Sequence, residues 1–375
     1  MADATESLDT AKTVVTHSVF SRWFPVPGII ALSGAGVDIS DSSVKWLSLK
    51  PAPRGWEVDK YFQVSLEPGV VEGGVVRDEK KLGNAIAQLQ REVDGNPLAH
   101  AALPEEAAYV FNMHVQNVHD RGQVLNAIEF ELEGRVPLSA SQVVYDYDIV
   151  EMHADRNSAE VGVTVFPNEV VEGYVNAFSF SGVKLLSLEI EARSIARAVI
   201  PKENDEVVLV ADFGRARTGI AILKRGVPIF TSTVSVGGDA MTKVIVEKLQ
   251  VDESAADTFK NENGIAPGGD QKVIEAMGGT AAALADEITK HYQYWDTKRN
   301  EHGERVTPVD RVILCGGSSN LKGLPEYIAA RVHASTERAN VWENVCSFDD
   351  YIPPIEKHHS LGYATAVGLA LRSAK

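Results

Sequence analysis

Cysteine is scarce: Cys315 and Cys346 are the only two in 375 residues, too few for a disulfide framework or a zinc cluster. Both read as buried fillers of a chain made for a reducing compartment. Long apolar runs are missing too. None approaches the ~20 residues that a membrane-spanning helix needs, which argues against an integral membrane protein. The opening MADATESLDT carries acids where a secretory leader carries Lys or Arg, so the expected location is cytoplasmic. Positive charge is in deficit, with 36 Lys and Arg against 52 Asp and Glu and a formal charge of −16. No basic cluster overrides that field, so no nucleic-acid partner is expected. Small phosphate ligands are not excluded, because backbone N–H groups and a divalent cation hold them without bulk positive charge. The P-loop pattern GxxxxGK[ST] is absent. His153, His358 and His359 have no partner at metal spacing, and no Ser-His-Asp or Cys-His pattern stands out.

What is present is a repeated order of elements. Residues 1–27 lack a clean period and read as a tail packed across the first domain. From Gly36, the segments GVDIS, SVKWLSL and WEVDKYFQVSL have strand-like lengths and form a predicted antiparallel meander. Leu82, Ile86, Leu89 and Val93 then recur at helical spacing, with Gly95 placed to end the helix, and AAYVFNMHV follows as a strand returning to the sheet. After residue 205 the order repeats: EVVLVADFG, RTGIAILKRG and VPIFTSTVSVGG are three strands with Gly226 at a tight turn. The helix GDAMTKVIVEKLQ follows, with Met241, Val244, Ile245 and Leu249 on one face and Asp239 near its start. Between the halves, residues 113–182 read as helix, strand, strand, helix, an inserted subdomain. The helices on either side of IAPGGD form its counterpart in the second half. YATAVGLALR is too short to span a bilayer and reads as a buried packing helix.

Two tight turns open the halves: Asp38-Ile39-Ser40-Asp41-Ser42-Ser43 and Asp212-Phe213-Gly214-Arg215-Ala216-Arg217-Thr218. An acidic residue ending a strand, followed by small residues and hydroxyls, can hold hydrated Mg²⁺ while N–H and O–H groups approach phosphate oxygens. One such turn says little, since Asp and Gly make turns for purely structural reasons. The pair in matching positions says much more. A third element, ILCGGSSNLKGLPEYIAARV, runs a strand into Gly316 and Gly317, where the missing side chains allow close approach to a flat ligand.

Together these elements resemble the two phosphate motifs and the adenosine motif of the actin, sugar kinase and heat-shock chaperone superfamily. Within it the chain is most similar to the PilM family of type IV pilus assembly, and more distantly to the cell-division protein FtsA. The likeness covers residues 36 to 372, and VPLSASQVVYDYDI matches the proline-centred loop and strand of the subdomain that separates both families from actin. FtsA ends in an amphipathic membrane-targeting helix that is not found here, which favours the PilM likeness.

The resemblance implies an α/β, actin-like (ribonuclease H-like) duplicated ATPase fold with an inserted subdomain. Its expected divisions are a tail over 1–27, core subdomains over 28–112 with 183–204 and over 205–236 with 305–375, and insertions over 113–182 and 237–304. ATP and Mg²⁺ are the implied ligands. Asp38 and Asp212 would position the metal. Ser40, Ser42, Ser43 and Lys45 would lie near the phosphates, facing Gly214 and Thr218, while Gly237, Gly238, Gly316, Gly317 and Ser318 would surround ribose and adenine. Glu191 would orient a water. The family turn usually reads Asp-x-Gly, and Ser40 in place of that glycine puts a side chain beside the phosphates, so binding is implied more firmly than hydrolysis. The implied partners are the cytoplasmic N-terminal tail of a PilN-like inner-membrane protein and other pilus platform proteins. They would hold the chain at the inner face of the cytoplasmic membrane. An FtsA-like filament protein and a small-molecule kinase of the same superfamily are the alternatives.

Overall fold

A computed structural model describes residues 34–116, 118, 120–153, 157–299 and 303–373; the predicted tail over 1–27 and the side chain of His153 lie outside the described residues. The first sheet begins with the expected meander, β1 (Ala35–Ile39), β2 (Ser43–Pro51) and β3 (Trp56–Ser65). A short hairpin, β4 (Val71–Glu72) and β5 (Val75–Val76), leads into helix α1 (Glu79–Val93). Asp78 caps α1 by accepting from the Lys81 N–H, and Leu82, Ile86 and Leu89 are buried to 0% exposure, each contributing about 1.5–3 kcal/mol. The helix ends on Asp94 in the left-handed region, φ 43°, one residue before the glycine expected to end it.

The strand that returns to the sheet is β6 (Leu98–Leu103), which pairs parallel to β1. It is not Tyr109–Gln116, which becomes β7 of a separate sheet. The sequence LAHAAL has no β-branched residue to announce a strand, and burial between β1 and a second unread strand, β10 (Lys184–Ile190), holds it extended. The inserted sheet has the order β7-β9-β8, with β8 (Val143–His153) and β9 (Ser158–Pro167) both antiparallel to their neighbours. Helix α2 (Arg121–Arg135) covers it, packing Val124, Ile128 and Leu132 against Met113, Val161 and Val163. Helix α3 (Asn168–Ser181) leads back to β10, and α4 (Glu191–Val199) closes the first half.

The second half repeats the plan. The meander β11 (Val207–Phe213), β12 (Thr218–Lys224) and β13 (Val227–Val234) turns tightly at Arg225 and Gly226, φ 53° and 71°. Helices α5 (Gly238–Leu249), α6 (Glu253–Asn263) and α7 (Gln271–Thr297) follow, then β14 (Arg311–Cys315), α8 (Leu324–Val332) and the short, unread β15 (Thr336–Arg338). The orders β10-β6-β1-β2-β3 and β13-β12-β11-β14-β15 are the same topology. In each, an antiparallel meander is extended by two parallel strands on the side of its first strand. Duplication is therefore visible in topology where sequence identity between the halves is low.

Strand periodicity shows how the layers stack. On β2, Trp46 packs with α1 and α3, whereas its neighbour Leu47 packs with α4 and the last helix, after the four-residue α9 (Lys357–Ser360), α10 (Ala364–Leu371). On β11, Leu209 and Ala211 face α5 and α7, while Val208 and Val210 face α4 and α10. Both sheets are thus covered on both faces, and α4 and α10 lie between them. The fit there is backbone to backbone. A side chain at Gly36 of β1 would place its Cβ 1.9 Å from the Ala366 carbonyl oxygen, and one at Gly368 would place it 1.8 Å from that of Ser194.

Candidate functional site

The ends of β1 and β11 open into one cleft of about 2000 Å³. Asp38 and Asp212 each occupy the penultimate position of their strand. Across the hairpin from Asp38 stands Lys45, whose Nζ donates to Asp38 Oδ2 at 3.0 Å; across from Asp212 stands Gly219. All the expected site residues except Thr218 and Gly237 line this cleft: Asp38, Ser40, Ser42, Ser43, Lys45, Glu191, Asp212, Gly214, Gly238, Gly316, Gly317 and Ser318.

Thr218 is wholly buried and donates its hydroxyl to the Val236 carbonyl at 2.6 Å. A Cβ on Gly237 would fall 2.3 Å from the Arg215 carbonyl oxygen. Both residues pack behind the second turn and lie outside the lining of the cleft. That turn is stitched to its surroundings by Gly238 N–H on Gly214 O, Asp239 N–H on Arg215 O and Ser318 Oγ on Gly214 O, at 3.0, 2.9 and 2.9 Å. In the first turn, Ser40 Oγ donates to the Ser43 carbonyl and accepts from the Ser43 N–H, at 3.1 and 3.2 Å. The hydroxyl that replaces the family glycine therefore closes its own turn. Gly316 has φ 83°, and a Cβ there would lie 2.3 Å from Asp212 Oδ1. Only glycine leaves that carboxylate in place.

Two further carboxylates escaped sequence reasoning. Glu105 and Glu106 begin a 3₁₀ turn directly after β6, so they arrive with the strand that was itself unread. Glu105 is 6% exposed, and its Oε2 has no hydrogen-bond partner among the described residues. Desolvation pushes its carboxyl up to about 8, helped by the charge of Asp212 and opposed by the Ala192 N–H and Arg217. Glu191, at the start of α4, is driven well above the carboxylate range, first by burial and then by Glu105, Asp38 and Asp212. Asp212 is raised to about 6 by burial and Asp38, with Lys45 pulling it down. Burial alone would lower Lys45, but the charge and hydrogen bond of Asp38, with Asp212 beyond, carry it above its ordinary value. Four carboxylates thus crowd one ammonium. Their excess negative charge and the free Glu105 oxygen suit a divalent cation.

The far end of the cleft is also built. Lys260, 8% exposed, donates to Thr242 Oγ1 at 2.8 Å and Asp257 Oδ1 at 2.6 Å, next to Gly238 and Ser318. A lysine within KNENG gives no sequence signal for this position. At the mouth, Glu356, His358 and His359 bring ligand atoms within 4.8 Å of one another. The expectation that these two histidines lack a partner at metal spacing is therefore corrected: the bend into α9 gathers three consecutive-region side chains, all exposed.

Two matching halves closing a single polar cleft over paired strand-end aspartates define an actin-like protein of the duplicated ATPase fold. The chain belongs to the type IV pilus assembly protein PilM family, whose model matches residues 36–374. Among solved structures, a PilM–PilN type IV pilus biogenesis complex matches at TM-score 0.76 and 20% identity, covering 92% of this chain and 99% of that one. The ethanolamine utilization protein EutJ from Carboxydothermus hydrogenoformans matches at 0.53 and 14%, covering 90% and 89%. An MreB of Spiroplasma citri bound to AMPPNP matches at 0.51 and 11%, covering 90% and 95%. No helix among the described residues is long and apolar enough to cross a membrane.

Proposed function

We propose that this chain is a nucleotide-dependent assembly factor of a type IV pilus or related secretion system. It binds Mg²⁺–ATP in the cleft and the cytoplasmic N-terminal tail of a PilN-like inner-membrane protein beside the insert. Asp38 and Asp212, with Glu105 and Glu191 around them, would hold the hydrated metal. Lys45 and the two turns would take the phosphates; Gly238, Gly316, Gly317 and Ser318 would admit ribose and adenine, with Lys260 and Asp257 at that end. The cation would offset the carboxylate crowding, and Glu191 would orient a water above the phosphates. Through its partner the protein would sit at the inner face of the cytoplasmic membrane, alongside other platform proteins.

The observation that carries the partner reading is a groove of about 590 Å³ between the insert and the first sheet. It is flanked by β8 and β10, each the edge strand of its sheet among the described residues, and lined by apolar Leu103, Val144, Phe166, Leu188 and Ile190. An extended peptide can add to such an edge and place alternate side chains in the groove. The insert also touches the second half: Lys224 of β12 pairs with Glu160 at 2.7 Å and Glu151 at 3.2 Å, and Gly162 packs on Pro228. Movement of the second half around a nucleotide would therefore reach the groove, the condition for coupled binding.

The test is calorimetric titration of a synthetic tail peptide, with and without Mg²⁺–ATP, for wild type and Asp212→Ala. Saturable binding that responds to ATP in wild type, and ceases to respond in the variant, is the expected result. Absence of binding in both conditions would refute the partner assignment.

A further inference from the structure

A guanidinium joins the two halves across the cleft. Arg217, on the turn before β12, donates from Nη1 to Asp41 Oδ2 at 2.7 Å and from Nη2 to Asp41 Oδ1 at 3.3 Å, while its Nε faces Glu106 Oε1. Asp41 and Glu106 belong to the first half. Asp41 is itself tied down, its two oxygens accepting from the N–H groups of Gly73 and Gly74 at 3.1 and 3.0 Å in the β4–β5 turn. A second contact follows the same line. Glu105 Oε2 lies where a side chain on Gly219 would be, 2.4 Å from the Cβ position, so the second half is shaped to receive it.

We propose that Arg217 is a clasp between the halves: its grip on Asp41 and Glu106 holds the cleft closed, and breaking it sets the rate at which nucleotide leaves. The geometry favours this over an incidental surface pair. The side chains of Arg217, Asp41 and Glu106 are 23%, 27% and 20% exposed, drier than pairs that contribute little. The Asp41 contact is two-pronged, which only a guanidinium supplies. A triphosphate entering between the turns must pass the rim that Asp41 anchors, since Gly73 and Glu72 line the cleft beside it. Closure would thus precede the ligand and govern its exit. The closure part of the proposal is independent of what the cleft holds; the retention part rests on the nucleotide reading above.

The experiment places spin labels at Glu72→Cys and Ser254→Cys, exposed residues on the two sides of the cleft, in a Cys346→Ser background, and measures their separation without nucleotide. Arg217→Gln and Asp41→Asn should each lengthen and broaden the distribution. The double variant should go no further than Arg217→Gln, which already removes the contacts to both Asp41 and Glu106. Arg217→Lys, a point charge unable to span both carboxylates, should fall between. In parallel, release of a fluorescent ATP analogue should quicken about tenfold in either single variant, as for loss of a half-buried charge pair. Circular dichroism confirms that each variant is folded. An unchanged separation in both singles overturns the clasp. Faster release from Arg217→Gln with slower release from Asp41→Asn also overturns it, by showing that Arg217 works on the phosphates. If wild type binds no analogue, the nucleotide reading and with it the retention part fail, and the separations alone decide the clasp.

Discussion

Glu105→Gln should change how stability depends on pH, and in a direction opposite to that of most acidic substitutions. Glu105 is nearly dry and is pushed from 4.5 to about 8, first by burial and then by Asp212. Between those values the folded chain keeps a proton that the unfolded chain has lost. The stabilisation is therefore complete below 4.5, declines as pH rises, and is gone above about 8. At ~1.4 kcal/mol per pH unit the whole window carries at most ~5 kcal/mol. Glu191 and Asp212 share the same crowded space and relieve part of the penalty when they protonate, so Glu105 alone should account for about half, ~2–3 kcal/mol. Gln is the neutral form made permanent, still able to accept from the Ala192 N–H. Urea unfolding without divalent cation or nucleotide should find the variant equal to wild type near pH 5 and ~2 kcal/mol more stable near pH 8. Parallel pH profiles for the two proteins would refute the assignment of the buried proton to Glu105.

Three other outcomes are expected. Mg²⁺–ATP affinity should rise with pH, because Asp212, raised to about 6, and Glu105, raised to about 8, must lose protons to face a cation; calorimetry in buffers of different ionisation enthalpy should register proton release. Gly316→Ala should weaken nucleotide binding more than tenfold on the scale of ~1–3 kcal/mol for a strained backbone site, since its Cβ would displace Asp212; unaltered affinity in a titration would contradict the cradle described here. Gly368→Ala should cost ~3 kcal/mol or more by overpacking, because its Cβ would fall 1.8 Å from the Ser194 carbonyl oxygen; the midpoint of a denaturant melt reads this directly.

Much of the first and second meanders was legible, because Val, Ile and Leu alternate there and Gly or Asp marks the turns. The strands that escaped were those whose conformation is imposed from outside. LAHAAL is extended because two neighbours pair with it, and TER is a three-residue edge held by β14. The same limit applies to the cleft. Asp38 and Asp212 could be found because duplication repeats them, but Glu105, Glu106 and Lys260 have no counterpart motif and acquire meaning only through what stands opposite. Thr218 and Gly237, expected at the cleft, lie outside its lining. They sit inside conspicuous motifs, yet their side-chain space is spent on holding the turn from behind.

The contact between α4 and α10 limits how the cleft can open. Their backbones come together at Gly368 and Ser194, and apolar packing, being non-directional, would by itself leave them free to slide past each other. Two hydrogen bonds prevent it: Ser194 Oγ donates to the Thr365 carbonyl at 2.6 Å, and Arg197 Nη1 to that of Gly368 at 2.8 Å. The helix pair is therefore a pinned spine. Shear along it would break both pins, whereas bending where the chain passes between the sheets, after α4 and before α10, would leave them intact. Opening by such bending would turn the cleft as a book turns on its binding, so that a small rotation at the spine would become a larger displacement at the far edge.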